Sequence, residues 1–337
     1  MMVILVLQEI YYIIMCYSNK KYNLIWATII MDYQSILEEI AQEVTPLLDK
    51  GKVANYIPAL ANIDPKQFAM TITLFDGTQF NVGSYNTLFS IQSISKVFTF
   101  TLALKFYGVE LYKRIGREPS GNPFNSLVQL EYENGIPRNP FINAGAINIT
   151  DSLISYFKDD KKTFKEIISF VRSITDEPDI IYNKNVAISE MEHGHRNLAL
   201  ANLMKSFNNI DNSVLDVVQT YFNHCAIEMN TKMLSRSMLY LANHGKDPIN
   251  NNIYISPQQS KRINAVMLTC GHYDASGDFA FNVGLPGKSG VGGGIVAVIP
   301  KAMGIAVWSP RLNKQGNSLV GTEALKLFTS KTSMSIF

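Results

Sequence analysis

The chain has 337 residues, of which 47% are hydrophobic and 17% charged, so it can bury the core of one large domain or two moderate ones. Its formal net charge of +2 lacks the basic excess by which proteins hold nucleic acid, which excludes that class of partner. The three scattered cysteines, Cys16, Cys225 and Cys270, are too few for a disulfide framework or a zinc knuckle and indicate a reducing, cytoplasmic setting.

Residues 1–30 differ in composition from the rest of the chain. They are strongly apolar, but Gln8 and Glu9 interrupt the run well short of the roughly 18 apolar residues that a membrane span needs. No Lys or Arg precedes the run and no small-residue cleavage site follows it, which disfavours a signal peptide. We interpret residues 1–30 as an extension outside the fold, with translation starting at Met31, and expect no membrane partner. An N-terminal membrane anchor is the alternative.

The first part of the chain after this extension alternates between helical and strand patterns. Apolar residues at helical spacing predict a helix over residues 34–48. β-Branched and aromatic residues on both sides of Asp76-Gly77 predict a hairpin over residues 68–83. The nearly all-apolar stretch 93–107 predicts a buried helix.

The middle of the chain has helical patterns, and strands return near its end. Helices are predicted at residues 164–174, 197–207 and 233–242, then strands within 292–300 and 303–310, and a closing helix from 323–328. Strands near both chain ends with helices between them predict an α/β fold of the α+β type. Its antiparallel sheet would be built from both ends and flanked by helices, with an inserted helical lobe.

These patterns also suggest a domain organisation. We expect one domain over residues 31–337. Its sheet part would cover about 50–110 and 270–337, and its helical lobe about 111–269.

The segment Ser93-Ile94-Ser95-Lys96 is the first candidate for chemistry. Positions i and i+3 share one helix face, so Ser93 Oγ and Lys96 Nζ can meet. Burial would lower the pKa of Lys96, and a neutral lysine can accept the proton of a serine nucleophile. The helix start also offers backbone N–H groups to an oxyanion. The motif alone is weak, because Ser155-Tyr156-Phe157-Lys158 matches it equally well and is typical of a solvated helix end.

The segment Lys288-Ser289-Gly290 is the second candidate. A strand with this pattern can line an active site, because the glycine lets a substrate approach the backbone. A phosphate-binding loop is excluded, because Asn282 stands where its first glycine belongs and a strand, not a helix, follows. In serine hydrolases of the β-lactamase and penicillin-binding-protein superfamily, a Ser-x-x-Lys helix faces such a strand across the active site.

The pair His193-Gly194-His195 is a possible metal motif. No further His or Cys falls at ligand spacing, so a polar turn is the better interpretation and no metal is expected.

The chain closely resembles the serine-dependent glutaminases, which belong to that superfamily, over residues 33–327. The motifs that carry the resemblance include GKVANYIPALA (51–61), FSIQSISKVF (89–98), GIPRNPFINAGAI (135–147), SEMEHGHRN (189–197), CGHYDASG (270–277) and VGLPGKSGVGGG (283–294). The resemblance implies a β-lactamase- and transpeptidase-like fold and hydrolysis of the side-chain amide of L-glutamine to L-glutamate and ammonia. It also implies that no cofactor is needed and that the protein is a homo-oligomer, either a homotetramer or a dimer.

The resemblance also assigns roles to individual positions. Ser93 resembles the family's nucleophile and Lys96 its general base, while Tyr273 could relay a proton or share the base role. The backbone N–H of Val291 would join that of Ser93 in the oxyanion hole. The substrate-binding positions are Ser93, Asn143, Glu190, Asn197, Tyr221, Tyr273 and Val291, with Tyr56 near the entrance and Gln92 and Lys288 behind the site.

These assignments suit the chemistry of free glutamine, which carries an α-ammonium and an α-carboxylate. Glu190 suits the ammonium, while Asn143, Asn197 and Tyr221 offer hydrogen bonds without a repelling charge. The charge of Lys288, if nearby, would keep Lys96 neutral by repulsion. Two alternatives stay open: another serine hydrolase of the superfamily, acting on β-lactams or peptides, and an inactive binding protein on the same fold.

Overall fold

The computed structural model describes residues 31–121 and 126–337. The extension expected at residues 1–30 lies outside the described residues, so its interpretation stays a prediction. Residues Tyr33–Phe337 form one compact unit. Among the described residues, no helix has the length and apolar character needed to cross a membrane.

A five-stranded antiparallel sheet lies at the centre of this unit, with strand order β3-β2-β8-β7-β6. Its strands come from residues 69–83 and 287–308, which confirms the prediction of one sheet built from both ends of the chain. Two further two-stranded pairs, β1 with β9 and β4 with β5, connect distant segments. The strands are β1 (Lys52–Val53), β2 (Ala69–Leu74), β3 (Gln79–Gly83), β4 (Phe89–Ser90), β5 (Glu228–Met229), β6 (Gly287–Ser289), β7 (Gly294–Ile299), β8 (Met303–Trp308) and β9 (Arg311–Leu312).

Helices occupy most of the segment between the two groups of sheet strands, as predicted. Short 3-10 helices span Thr45–Leu47, Gln92–Ile94, Gly108–Lys113 and Tyr273–Ala275. The α-helices of the described residues are α1 (Tyr33–Val44), α2 (Pro58–Ala61), α3 (Ser95–Tyr107), α4 (Leu127–Tyr132), α5 (Asn143–Phe157), α6 (Asp160–Thr175), α7 (Lys184–His193), α8 (His195–Ser206), α9 (Val214–Cys225), α10 (Thr231–Ser237), α11 (Leu239–Ala242), α12 (Pro257–Cys270), α13 (Ser276–Asn282) and α14 (Leu319–Thr332).

For three of the predicted helices, a local contact or residue explains why the observed bounds differ. Helix α1 ends at Val44 because Pro46 lacks the N–H that would continue the ladder, and a 3-10 turn follows. Helix α6 starts earlier than predicted because the side chain of Asp159 accepts the N–H of Lys162 as its N-cap, at 2.6 Å. The helix predicted over 233–242 is divided in two at Met238, whose N–H bonds Ser235 three residues back.

The sheet is covered on both faces, which explains its uniformly apolar strands. In β8, Ile305 and Val307 belong to the core that includes α1 and α14. The alternate residues Ala306 and Trp308 belong to the core on the other face, together with Phe98 of α3. Successive side chains of a strand point to opposite faces, so β8 separates two cores.

Close backbone contacts bring the end of β6 against the segment that precedes α3. A Cβ atom on Gly290 would lie 2.6 Å from the carbonyl oxygen of Ile91, and one on Gly292 would lie 2.4 Å from that of Ser90. Only glycine leaves space for these approaches. Trp308 fixes the same loop by donating from Nε1 to the carbonyl of Gly292, at 3.0 Å.

Candidate active site

Ser93 lies in the 3-10 turn Gln92–Ile94, directly before helix α3. It is 8% exposed. The preceding residue, Gln92, has a left-handed backbone with φ of +49°, and so has Tyr273, with φ of +56°. Non-glycine residues adopt this conformation at a cost and tend to do so at functional sites. Burial raises the pKa of Tyr273, and the neighbouring side chains of Ser93 and Ser289 partly lower it, so the third candidate catalytic residue lies beside Ser93.

Lys96 is fully buried on α3. Its Nζ donates to the carbonyl of Phe141 at 3.2 Å and to Oδ1 of Asn143 at 2.7 Å. Burial lowers the pKa of Lys96 to about 8, although the neighbouring Cys225 and Glu190 act in the opposite direction. A neutral lysine is therefore accessible near physiological pH, as the sequence predicted from the apolar helix.

A second group of polar residues continues from Lys96. The amide of Asn143, at the start of α5, donates to Oδ1 of Asn197 at 2.9 Å. Glu190 on α7 accepts a hydrogen bond from the hydroxyl of Tyr56 at 2.6 Å. Burial raises the pKa of Glu190, while its hydrogen bond with Tyr56 and the charge of Lys96 partly offset this effect. Glu190 is thus a carboxylate in a site that favours a cationic partner.

These residues surround a cavity of about 360 Å³. Eight of the eleven predicted site residues line it, while Lys96, Tyr273 and Lys288 are buried behind its wall. Three further side chains that the sequence analysis missed also line it: His193, Arg196 and Cys225. The full lining consists of Tyr56, Gln92, Ser93, Asn143, Glu190, His193, Gly194, Arg196, Asn197, Tyr221, Cys225 and Val291.

Helix periodicity was the signal that could have found two of the three missed residues. His193 lies three residues after Glu190 on α7, and Cys225 lies four residues after Tyr221 on α9. Residues at these spacings share a helix face. Arg196 precedes Asn197 at the start of α8.

The pair His193 and His195 flanks Gly194 between α7 and α8. Nδ1 of His193 bonds the carbonyl of Ser189 at 2.9 Å. Within residues 31–121 and 126–337, no three His, Cys, Asp or Glu side chains group closely enough to hold a metal ion.

Lys288 is fully buried beside Tyr273. Its Nζ donates to the carbonyls of Gly271 at 3.0 Å and Ser289 at 2.7 Å, and lies 4.6 Å from the centre of the Tyr273 ring. Burial, and then the charge of Lys96, lower its pKa well below the ordinary range. The lowering at Lys96 comes from burial instead. Burial therefore accounts for the lowered pKa of Lys96 without help from Lys288, and the repulsion expected at Lys96 stays a prediction.

The backbone that follows β6 lies beside Ser93. A Cβ atom on Gly290 would lie 3.4 Å from the backbone nitrogen of Ser93, so the backbone leading to Val291 runs directly beside it. The site therefore combines a buried hydroxyl, a lysine with a lowered pKa, adjacent backbone N–H groups and one carboxylate across a small cavity. Such a set can carry out nucleophilic acyl transfer on a small cationic or zwitterionic amide.

Comparison with known proteins decides the family. A family model described as Glutaminase matches residues 51–337. The chain belongs to the glutaminase family. A glutaminase from Aliarcobacter butzleri is 62% identical over 307 residues, covering 91% of this chain and 100% of that protein. A thermolabile glutaminase from Rhizobium etli is 52% identical over 306 residues, covering 91% and 99% of the two chains.

A solved structure gives the same result for the fold of this glutaminase family member. The crystal structure of a probable glutaminase from Bacillus subtilis matches with a TM-score of 0.84 and 33% identity, covering 90% of this chain and 97% of that one. The predicted family and the predicted β-lactamase-like fold class are thereby confirmed. The roles of individual residues stay predictions.

Proposed function

We propose that the protein hydrolyses the side-chain amide of L-glutamine to L-glutamate and ammonia through a glutamyl ester of Ser93. The observation that carries the proposal is the cavity of about 360 Å³, into which Ser93 opens and in which Glu190 is the one carboxylate of the lining. Membership of the glutaminase family supports the choice of substrate.

Substrate recognition depends on the charge pattern of the cavity. The α-ammonium of glutamine binds Glu190, whose buried carboxylate favours a cationic partner. Asn143, Asn197 and Tyr221 offer neutral hydrogen-bonding groups to the remaining polar atoms of the substrate. Tyr56, whose hydroxyl already contacts Glu190, stands at the entrance and is half exposed.

Acylation starts when neutral Lys96 accepts the proton of Ser93 Oγ, which attacks the amide carbon. The hydrogen bonds of Lys96 to Phe141 and Asn143 hold its Nζ in place. The hydrogen bond to Ser93 that proton transfer needs forms when the substrate is bound. The N–H groups of Ser93 and Val291 stabilise the oxyanion by about 3 kcal/mol each. Lys96 then returns its proton to the leaving nitrogen, so ammonia departs without an unfavourable amide anion.

Deacylation uses the same groups in reverse order, with water attacking the glutamyl ester while Lys96 accepts its proton. Between the two candidate bases, the pKa values favour Lys96. Burial raises the pKa of Tyr273 to about 12, so its hydroxyl is protonated at neutral pH. Tyr273 therefore donates to or relays a proton through Ser93 rather than acting as the principal base.

Two finer features belong to the same proposal. The protein is a homotetramer or dimer in the cytoplasm, as the family resemblance implies. Light scattering coupled to size-exclusion chromatography, with a monomer as the refuting result, tests the assembly. Fractionation of the source cells tests the compartment.

The experiment that tests the proposed function measures ammonia release from L-glutamine and L-asparagine, and the colour change that accompanies ring opening of a chromogenic β-lactam. We expect turnover of glutamine and loss of activity in Ser93→Ala and Lys96→Ala. The second Ser-x-x-Lys segment, Ser155 to Lys158 at the end of α5, provides matched controls: Ser155→Ala and Lys158→Ala should retain activity. A normal glutamine rate in Ser93→Ala would overturn the mechanism, and β-lactam turnover without glutamine turnover would favour the alternative hydrolase.

A further inference from the structure

His224 is a fully buried histidine on α9 that the proposed mechanism does not use. Its ring meets the ring of Tyr221 edge-on, with 5.3 Å between ring centres. Burial, and then the charge of Lys96, lower the pKa of His224 to about 3. The imidazole is therefore neutral at any working pH and does not exchange protons with the substrate.

Both ring nitrogens of His224 are engaged with residues on other helices. Nδ1 lies 2.8 Å from Oγ of Ser95, and Nε2 lies 3.2 Å from Oγ1 of Thr150. Ser95 begins α3 and Thr150 lies in α5, so the ring connects three helices. Each of these helices also carries a proposed site residue, namely Lys96, Asn143 and Tyr221.

The number of available protons determines which nitrogen of the His224 ring donates and which accepts. The hydroxyl of Ser95 donates to the carbonyl oxygen of Gln92 at 2.7 Å. A serine hydroxyl has one proton, so Nδ1 of His224 must donate to Ser95 while that bond exists. Nε2 then carries no proton and is an acceptor. The hydroxyl of Thr150 donates to the carbonyl of Ala146 at 2.9 Å and lies 3.2 Å from Nε2, so these two acceptors share its one proton. A directed series of hydrogen bonds therefore runs from His224 through Ser95 to the Gln92 carbonyl.

The Gln92 carbonyl matters because it shares a peptide group with the N–H of Ser93. The peptide is planar and trans, so the two groups point in opposite directions, and fixing one fixes the other. Gln92 also holds a left-handed backbone, which persists only where the surrounding contacts determine it. The hydroxyl of Ser95 is one of those contacts.

We propose that His224 is a positioning residue: through Ser95 it fixes the Gln92–Ser93 peptide and thereby aims the N–H of Ser93 at the oxyanion. The inference rests on the proposed function, since it assigns His224 to the same amide hydrolysis. A positioning role for His224 differs from a role that only fills the core. In the latter case, any side chain that preserved folding would also preserve turnover.

Two isosteric variants separate these roles. His224→Asn places an amide nitrogen where Nδ1 stands and keeps the donor to Ser95. His224→Gln reaches the Nε2 position and loses that donor. We expect Asn to rescue the kcat for glutamine to within about threefold of wild type, whereas His224→Gln and Ser95→Ala lower kcat about 10- to 100-fold. KM should change less than about twofold in all three, because the substrate contacts remain.

A double variant and a spectrum complete the test. His224→Gln combined with Ser95→Ala should lose no more kcat than Ser95→Ala alone, because both substitutions interrupt the same chain of hydrogen bonds to the Gln92 carbonyl. Nitrogen-15 NMR of the wild-type protein should show His224 neutral with its proton on Nδ1, a readout that needs no variant to fold. The inference is overturned by any of three results. These are a loss of kcat in the double variant equal to the product of the two single losses, equal kcat in His224→Asn and His224→Gln at equal thermal midpoints, and a proton on Nε2 of His224. Absence of glutamine turnover by the wild type would instead overturn the proposed function.

Discussion

The burial of Lys96 predicts the pH dependence of turnover. Full burial of its ammonium group lowers the pKa to about 8, whereas an exposed lysine titrates near 10.4. Only the neutral amine can accept the proton of Ser93. Because the folded-state pKa is lowered, the active form increases as pH rises and becomes the major form above about pH 8.

The size of the effect follows from that pKa. The neutral fraction of Lys96 is about 1% at pH 6, 9% at pH 7 and 50% at pH 8 for a pKa of about 8. The kcat/KM for glutamine should therefore rise about ninefold from pH 6 to 7, about fivefold from pH 7 to 8, and then level off. A lysine with an ordinary pKa would give about a tenfold rise for every unit throughout this range.

Initial rates of ammonia release at constant ionic strength, measured from pH 6 to about 8.5, test this prediction. Lys96→Arg should lack the profile and the activity, because a guanidinium does not lose its proton in proteins. Lys105→Arg, at an exposed position on the same helix, is the matched control. A rise that continues at tenfold per unit through pH 8.5, no rise at all, or turnover by Lys96→Arg would refute the assignment of the base.

Three further predictions concern the walls of the site. Gly290→Ala should lower kcat about 100-fold, because its Cβ would lie 2.6 Å from a backbone carbonyl beside Ser93. The control Gly277→Ala, whose Cβ meets nothing within 4 Å, should behave as wild type. Equal activities of the two variants would contradict the proposed close packing at Gly290. Glu190→Gln should raise the KM for glutamine about 10- to 100-fold, because the contact with the substrate's α-ammonium is lost. The control Glu192→Gln, at an exposed position on the same helix, should leave KM unchanged. An unchanged KM for Glu190→Gln would argue against Glu190 as the ammonium-binding residue. Lys288→Met should leave the midpoint of the pH profile in place, because burial is what lowers the pKa of Lys96. An upward shift of about one unit would support the repulsion hypothesis.

Local sequence patterns predicted most of the fold. The turn at Asp76-Gly77 and the alternation around it placed the β2–β3 hairpin, because hairpin geometry depends on neighbouring residues. The pairing of β2 with β8 joins segments more than 200 positions apart, and it followed only from the general rule that strands seek a common sheet. Helix starts such as Asp159 were missed because capping depends on single side-chain contacts.

The candidate site was predicted through motifs and the family resemblance, and the structure adds what motifs do not encode. Tertiary packing puts Asn143, not Ser93, at hydrogen-bonding distance from the Lys96 ammonium. Packing also decides which of two buried lysines keeps the higher pKa, since Lys288 is lowered further than Lys96. The contact between His224 and Ser95 joins residues 129 positions apart, so no local sequence pattern predicts it.

The central claim is that Ser93 forms a covalent ester with the substrate. The most direct test is acid quenching of the enzyme during turnover of L-glutamine, followed by proteolysis and mass spectrometry of the peptide that contains Ser93. We expect this peptide to gain the mass of one glutamyl group on Ser93, and we expect no such adduct in Ser93→Ala. Glutamine turnover with no adduct on Ser93, or an adduct that persists on another residue in Ser93→Ala, would contradict it.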